Sequence, residues 1–397
     1  MQKIQTGDQN FVKQMNKSIV FRSIKKNEPL SRSQISKITG LNKATVSTMV
    51  SEMLEESFVY EIESNQSSGG RKPVLLYFNN LAGFSVGIDL GVNYILGVLT
   101  DLNGHIVEEV TQTLTSIEYE DVKNNLVNII KKLIKKAPES TYGIVGIGVG
   151  VPGNVDLDEN ILFAPNLKWK NVDLKAELQN ELHIPVKIQN EANCGVHGEH
   201  LYGRGKNASD LVYISIGVGI GTGIIIKNNL YTGTSGISGE MGHVTLNANG
   251  PKCRCGNHGC WELYASEQAL LEHVKKQKVL SSSNDISLEK LVAEAKTGNK
   301  EVLQILNTLG EYIGIGLTTV INTFNPEMVI IGNRISQFSR WLTNPVNHVL
   351  QDRLSYYHNE NTEIKFSALG RYSSALGATS IAISHFLSEQ KLEKMTL

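Results

Sequence analysis

Cysteine is scarce in this sequence: there are four thiols in 397 residues, and three of them lie between positions 253 and 260. So few and so clustered cysteines exclude the disulfide framework of a small secreted domain. The chain also lacks the run of about 20 apolar residues that a membrane-spanning helix needs, and its N-terminus lacks the apolar core of a signal peptide. We therefore expect a cytoplasmic protein, whose clustered thiols are metal ligands rather than disulfide partners.

Charge is sparse as well: 19% of the residues are charged and the net charge is −1. With 41% hydrophobic residues, the composition excludes a disordered chain and allows two or three domains. The balance is uneven, because residues 1–50 contain nine Lys or Arg and two acidic residues, an excess of +7. A basic end on a near-neutral body is typical of a nucleic-acid-binding domain, although a solvated surface explains the charge equally well.

Helical spacing in this basic segment favours DNA binding. A short helix is predicted between Ser31, as N-cap, and Gly40, as C-cap, with Ile35 and Ile38 on its buried side, and the next helix begins after Asn42. Two short helices joined by a glycine-containing turn indicate a helix-turn-helix, with a three-helix domain of another role as the alternative. The predicted DNA contacts on these helices are Ser31, Arg32, Asn42, Lys43, Ala44, Thr45, Ser47 and Thr48.

Two strand-like runs follow the helices, "FVYEIE" and "PVLLYF", around the polar segment "SNQSSGGRK". This pattern predicts a β-hairpin wing whose glycine-rich tip brings Arg71 and Lys72 close to phosphates. A flexible linker is the alternative, and both descriptions can hold for the same residues. Residues 1–80 are therefore predicted to form a winged helix-turn-helix domain with its linker.

The remainder of the chain alternates strands and helices in two related halves. The first half indicates three strands in "FSVGIDLGVNYILGVLTDLNGHIVEEVTQTL", a helix around residues 120–136 and the buried strand "GIVGIGVGV", and the second begins with a hairpin in "DLVYISIGVGIGTGIIIKNNLYTG". We predict an α/β body of two lobes, residues 81–190 and 191–397, with a ligand cleft between them and a C-terminal helix that returns to the first lobe. The segments "DLGVN" and "GVGIGTG" place glycines in strand-to-strand turns. Neither matches a P-loop or a dinucleotide fingerprint, so we expect tight turns without a ligand.

The cysteine cluster is preceded by a histidine. His243 lies ten positions before Cys253, and Cys253, Cys255 and Cys260 follow the spacing C-x-C-x₄-C. Four such ligands suit tetrahedral Zn²⁺ and leave no open position, which predicts a structural zinc site, with a zinc-free cluster of reduced thiols as the alternative. Glu240 and Glu262 flank this set, and a zinc-held loop would fix both carboxylates for hydrogen bonds to sugar hydroxyls; ordinary surface carboxylates are the alternative.

The segment "GEMGH" with "CRCGNHGCWE" resembles the signature of the ROK family, whose repressors and kinases share a sugar-kinase fold. Together with the head and "GLNKATVS", the likeness is strongest to the xylose repressors of this family. The resemblance implies an actin-like two-lobed body, zinc on His243, Cys253, Cys255 and Cys260, and a homodimer on palindromic operator DNA. It also implies release by D-xylose, with glucose as a candidate competitor.

The family's sugar-binding positions correspond here to Asn166, Asn190, Glu191, Glu240, His243 and Glu262. This chain departs from the family's kinases at two places. Glu191 stands where the kinases have a catalytic Asp, and "DLGVN" lacks the threonine of their first phosphate loop. We therefore predict a sugar-responsive repressor of xylose-utilisation genes without catalysis; the alternative is an active ATP-dependent sugar kinase with a fused DNA-binding head.

Overall fold

The computed structural model describes residues 9–63, 74–279 and 286–393. It opens with a head of three helices and a two-stranded antiparallel sheet: α1 (Gln9–Asn27), α2 (Arg32–Thr39), α3 (Lys43–Glu55), β1 (Val59–Glu63) and β2 (Val74–Phe78). The side chain of Ser31 caps α2, which ends at Gly40 with a φ of 73°. The side chain of Asn42 caps α3. The predicted helix-turn-helix fold is confirmed, while Arg71 and Lys72 lie outside the described residues.

The head core differs from the expected one at one side chain of α2. Ile35 is fully buried, but Ile38, which the helical pattern also assigned to the core, is 55% exposed. Helix α2 has only eight residues, and Ile35 is the one side chain that it buries in the interior of the head. Ile38 therefore lies on the outer surface of the head.

The first lobe is built on a five-stranded sheet with strand order β10-β6-β3-β4-β5. A small antiparallel sheet of three strands, β7 to β9, follows β6. The elements are β3 (Phe84–Leu90), β4 (Tyr94–Asp101), β5 (Ile106–Thr113), α4 (Tyr119–Ile134), β6 (Ile144–Val151), β7 (Asn154–Val155), β8 (Ile161–Ala164), β9 (Trp169–Val172), α5 (Leu174–Leu182), β10 (Val186–Asn190) and α6 (Glu191–Leu201).

The second lobe repeats this sheet plan with the order β13-β12-β11-β14-β15. In each lobe three antiparallel strands are joined by two further strands that run parallel to the first one. The elements are β11 (Leu211–Ile216), β12 (Ile220–Ile226), β13 (Asn229–Leu230), α7 (Glu262–Ala265), α8 (Glu267–Gln277), α9 (Leu288–Thr297), α10 (Lys300–Phe324), β14 (Met328–Gly332), α11 (Ser339–Arg353), α12 (Tyr356–Asn361), β15 (Glu363–Phe366) and α13 (Ser373–Glu389).

Two helices, α6 and α13, join the lobes. Helix α6 follows the last strand of the first sheet and leads into β11, so the predicted boundary between residues 190 and 191 falls where α6 begins. Helix α13 packs so closely on the first sheet and on α6 that backbone atoms of the paired elements touch. A Cβ at Gly148 would collide with the backbone of Ala378, and one at Gly377 with that of Cys194. Both glycines are needed for this close approach.

The last turns of α13 also enter the core of the head. Phe386 and Leu387 share a buried apolar cluster with Phe21 and Phe58. Tyr142 of the first lobe stacks on Phe58 with ring centroids 4.9 Å apart, and its hydroxyl donates to the backbone oxygen of Glu56 at 2.7 Å. The head is thus packed directly on the body. Among the described residues, no helix is long and apolar enough to cross a membrane.

Candidate functional site

A cleft of about 430 Å³ lies between the two lobes and is lined by residues of both. Two glycine-containing turns face it, residues 91–93 after β3 and 217–219 after β11. From the sequence we expected these turns to be tight connections without a ligand. The structure brings them to one cleft because they follow equivalent strands in the repeated sheet plan, which a single segment cannot reveal.

The floor of the cleft is formed by Glu191 at the start of α6. Its Oε1 accepts hydrogen bonds from the Ser215 hydroxyl at 2.8 Å and from the Asn333 amide at 3.3 Å. The same amide also donates to Ser215 Oγ at 3.0 Å. Ser215 and Asn333 were missed from the sequence, since Ser215 lies near the end of β11, Asn333 directly follows β14, and neither belongs to a local motif.

A second carboxyl group, Asp89 at the end of β3, is buried near Glu191. Tyr94 donates its hydroxyl to Asp89 Oδ2 at 2.7 Å, and Oδ1 has no hydrogen-bond partner among the described residues. Burial raises the pKa of Asp89 to about 6. Burial, with the nearby Asp89 charge, raises the pKa of Glu191 to about 8. The floor therefore carries fewer than two negative charges at neutral pH.

The mouth of the cleft carries the other predicted acidic groups. Glu240 Oε2 lies 3.7 Å from His243 Nε2, and Glu262 Oε1 lies 3.6 Å from His243 Nδ1. Burial raises the pKa of Glu240. Asn154 of the first lobe, missed from the sequence, donates its amide to Glu240 Oε1 at 3.0 Å. The three predicted residues therefore lie side by side and line the cleft.

The two predicted asparagines have different surroundings. Asn190 is committed to local structure, because its Oδ1 caps α6 through two backbone N–H groups and its Nδ2 donates to the Gly153 oxygen at 2.8 Å. Asn166 lies between β8 and β9 and receives a hydrogen bond from Arg254 at 2.8 Å. Both line the cleft. Arg254 was also missed; its position inside the C-x-C pair is the signal that could have found it.

The four predicted metal ligands form a cluster. The candidate ligand atoms of His243, Cys253, Cys255 and Cys260 all lie within 4.8 Å of one another. The sulfur atoms of Cys255 and Cys260 are 3.7 Å apart, and His243 Nδ1 is 3.7 Å from Cys253 Sγ. This cluster could hold a metal ion. His243 would bind through Nδ1, while its Nε2 faces Glu240.

The outer face of the head carries the predicted DNA contacts. Lys43, Ala44, Ser47 and Thr48 are exposed along one side of α3, and Thr45 is half-buried next to them. On the opposite side Val46, Met49, Val50 and Met53 are buried in the core. Ser31 and Asn42 serve as helix caps, as noted above, and Arg32 pairs with Glu61 of β1.

Several of the basic residues in the head are paired with carboxylates. Lys13 and Lys17 of α1 bind Glu52 and Glu56 of α3 at 2.7 and 2.6 Å, and Lys25 binds Glu393 at 2.9 Å. Lys43 makes no ion pair with any described residue. The charge excess of the sequence is thus reduced on α1, while Lys43 at the start of α3 stays available to an external phosphate.

A mixed α/β body with repeated sheets, an interlobe cleft and a His-Cys₃ cluster defines a class of sugar-kinase-like proteins. A sequence profile of the ROK family matches residues 85–385, and the chain belongs to this family. It is 47% identical over 382 residues to the xylose repressor of Bacillus subtilis strain 168, covering 96% of this chain and 98% of that protein. The DNA-binding transcriptional dual regulator NagC of Escherichia coli K12 is 25% identical over 380 residues.

Solved structures of ROK family proteins are also similar to this chain. A ROK family transcriptional regulator, a homologue of the E. coli MLC protein, superimposes with a TM-score of 0.80 at 26% identity and covers 96% of this chain and 99% of its own. A ROK family glucokinase from Streptomyces griseus, solved with glucose and AMPPNP, has a TM-score of 0.71 at 26% identity. It covers 75% of this chain. The regulators match nearly the full length, whereas the kinase matches three quarters.

Proposed function

We propose that this protein is a sugar-responsive transcriptional repressor that binds operator DNA through its head and is released by D-xylose bound in the interlobe cleft. One observation carries the proposal: the match to the Bacillus xylose repressor extends over 96% of the chain and so includes both head and cleft. As a homodimer, the protein would present two heads to a palindromic site, because a two-fold axis in the protein requires one in the DNA.

The cleft suits a small neutral polyol. Its walls carry carboxylate, amide and imidazole groups from both lobes, among them Glu240, His243 and Asn166. Such groups accept and donate hydrogen bonds to hydroxyls, and each buried hydroxyl left unpaired would weaken binding. The raised pKa of Glu191, about 8, means that the floor can donate as well as accept at neutral pH.

Zinc is the metal that the His-Cys₃ set favours, because four thiolate and imidazole ligands suit its tetrahedral geometry and close the site to substrate. Bound there, zinc would hold the loop between His243 and Glu262 in place. We therefore assign it a structural role.

The proposed repressor does not phosphorylate its sugar. The resemblance to the family's kinases implies that Glu191 replaces their catalytic Asp, and that Asn93, at the end of the first glycine turn, replaces the threonine of their phosphate loop. Glu191 Oε1 is already held by Ser215 and Asn333. A sugar kinase with an attached head is the competing function, supported by the glucokinase likeness over 75% of the chain.

The decisive test combines DNA binding with ATP consumption. DNA fragments selected from a random pool by the full-length protein should share a palindrome, and fluorescence anisotropy should show that D-xylose lowers affinity for them. D-glucose, L-arabinose and D-ribose serve as comparison sugars. Sugar-dependent ATP consumption, or DNA binding that no sugar changes, would favour the kinase and count against the repressor.

The zinc assignment has its own test. Cys255→Ser should lower the zinc content measured by mass spectrometry and weaken sugar binding, because the loop that carries Glu262 loses a ligand. DNA binding by the head should change less, since the head core contains no residue of this loop. Unchanged sugar affinity in a zinc-free variant would remove the metal from the proposal.

A further inference from the structure

Arg254 reaches across the mouth of the cleft from one lobe to the other. It lies between Cys253 and Cys255 on the second lobe, and its Nη1 donates to Oδ1 of Asn166 on the first lobe at 2.8 Å. Both side chains line the cleft. A second interlobe hydrogen bond, from Asn154 to Glu240, lies at the same mouth. The opening is thus bordered by two contacts that depend on how the lobes are placed.

The chemistry of this pair determines what Asn166 offers to a ligand. A guanidinium group carries only donors, so the amide oxygen of Asn166 has to face Arg254. The amide nitrogen then remains as a donor, and it makes no hydrogen bond to any described residue. No carboxylate among the described residues pairs with Arg254, so its charge is not engaged elsewhere.

The backbone of Arg254 is well anchored for such a role. The N–H of Cys253 donates to the Asn257 oxygen at 2.7 Å, and Lys252 forms a β-bridge with His258. The neighbours on both sides of Arg254 belong to the cluster that could hold a metal. The side chain of Arg254 is exposed, but the anchored backbone on both sides gives it a fixed starting point from which to hold Asn166.

We propose that Arg254 is a positioning residue for the sugar site: it holds Asn166 across the cleft so that the amide nitrogen donates to a ligand oxygen. This inference rests on the proposed function, because it takes the cleft to be a sugar site. The loop between His243 and Glu262 would then also connect the two lobes at the mouth of the cleft, in addition to holding the metal.

A double-mutant cycle tests the proposal by calorimetric titration of the full-length protein with D-xylose. Arg254→Ala and Asn166→Ala should each weaken binding by roughly tenfold or more, as expected for a charge-assisted hydrogen bond. If Arg254 acts through Asn166, the double variant should bind no more weakly than Asn166→Ala alone. Losses that multiply in the double variant would overturn the positioning role.

Two further variants separate positioning from a general structural effect. Arg254→Lys keeps a donor for the amide oxygen and should recover most of the affinity. Asn166→Asp can still accept from Arg254 but cannot donate to a sugar, so it should bind as weakly as Asn166→Ala. Wild-type affinity in Asn166→Asp would contradict the role assigned to the amide nitrogen.

Controls keep the outcomes distinct. Arg353→Ala, on an exposed part of α11, should bind D-xylose like the wild type, and all variants should keep wild-type zinc content and sugar-free affinity for the selected DNA. A wild-type protein that binds no pentose or hexose overturns the proposed function and this inference with it. Sugar binding that is equal in wild type and Arg254→Ala overturns the inference alone.

Discussion

Glu191 is a half-buried carboxyl group whose surroundings differ from those of an ordinary surface carboxylate. Two neutral donors, Ser215 and Asn333, meet one of its oxygens, and no cation is paired with it among the described residues. Asp89 nearby is buried and accepts a hydrogen bond from the Tyr94 hydroxyl. Two neighbouring carboxyl groups that are shielded from water and have no counter-ion among the described residues hold protons more tightly than water-exposed ones do. This electrostatic state leads to a prediction about stability.

The free energy of unfolding should fall as the pH rises. Glu191 has an ordinary pKa of 4.5 and a folded pKa of about 8, so the native state retains a proton that the unfolded chain has released. A raised folded pKa contributes stability at low pH that is lost as the pH rises through the folded value, at about 1.4 kcal/mol per pH unit for one proton. Glu191→Gln should flatten this dependence between about pH 4.5 and pH 8.

Urea unfolding at several pH values measures this slope. Because a glutamine stays neutral at every pH, the variant should gain stability relative to the wild type as the pH rises from about 4.5, and this gain should be complete above about pH 8. Glu139→Gln, at an exposed position outside the cleft, is the matched control and should follow the wild-type curve. Parallel curves for wild type and Glu191→Gln would show that Glu191 does not hold a proton in the native state.

Glu191 also leads to a prediction about sugar choice. An aspartate at this position, shorter by one methylene, would free volume on the cleft floor, which the hydroxymethyl group of a hexose could occupy. Glu191→Asp should therefore shift the preference from xylose toward glucose by about tenfold, the usual value of one misfitted group. Titration with both sugars measures the ratio, and Glu191→Gln, which keeps the length, should shift it less. A ratio unchanged by Glu191→Asp would exclude this role.

At the scale of secondary-structure elements, local patterns predicted most of the fold. The strands β3 to β6, the hairpin of β11 and β12, and the caps of α2 and α3 all follow from contiguous residues. Pairs between distant segments could not be predicted in this way. Arg254 meets Asn166 from 88 positions away, and Asn154 meets Glu240 from 86 positions away. Only the placement of the two lobes brings such side chains together.

Helix α3 has two sides of different composition. Its buried side is apolar, and its exposed side carries small hydroxyl side chains with Lys43 at the first turn. Small polar groups can approach base edges, whereas a lysine near a helix N-terminus contacts phosphates. The two kinds of residue should therefore contribute differently to sequence recognition.

Substitutions on α3 should separate specific from non-specific DNA binding. Ser47→Ala should weaken binding to selected DNA and leave random DNA almost unchanged, because it removes a contact to a base. Lys43→Ala should weaken both and reduce the salt dependence by about one unit in the logarithmic slope, as expected for one lost phosphate contact. Anisotropy titrations at several salt concentrations provide the data. Equal losses for both variants on both DNAs would refute the assignment.

At the scale of the whole molecule, α13 connects the region between the lobes with the head. Its first residue, Ser373, donates a hydrogen bond to the buried Glu199 of α6 at 2.8 Å. Near its other end, the ring of Phe386 lies 6.0 Å from that of Phe58 in the head and 5.2 Å from that of Tyr142 in the first lobe. A change in lobe placement can therefore reach the head through packed side chains, provided that sugar and DNA favour different arrangements.

Sugar and operator should then affect each other by the same factor. If D-xylose lowers the affinity for selected DNA by a given ratio, DNA must lower the affinity for D-xylose by that ratio, because both are measured around one thermodynamic cycle. Phe386→Leu should reduce this ratio by roughly two- to tenfold, since an aromatic pair contributes about 0.5–1.5 kcal/mol beyond its buried area. It should leave xylose affinity in the absence of DNA unchanged, because Phe386 does not line the cleft.

Phe11→Leu, at a side chain that is 43% exposed on α1, is the control and should keep the wild-type ratio. A ratio that Phe386→Leu leaves unchanged would mean that the signal reaches the head by a route other than this contact.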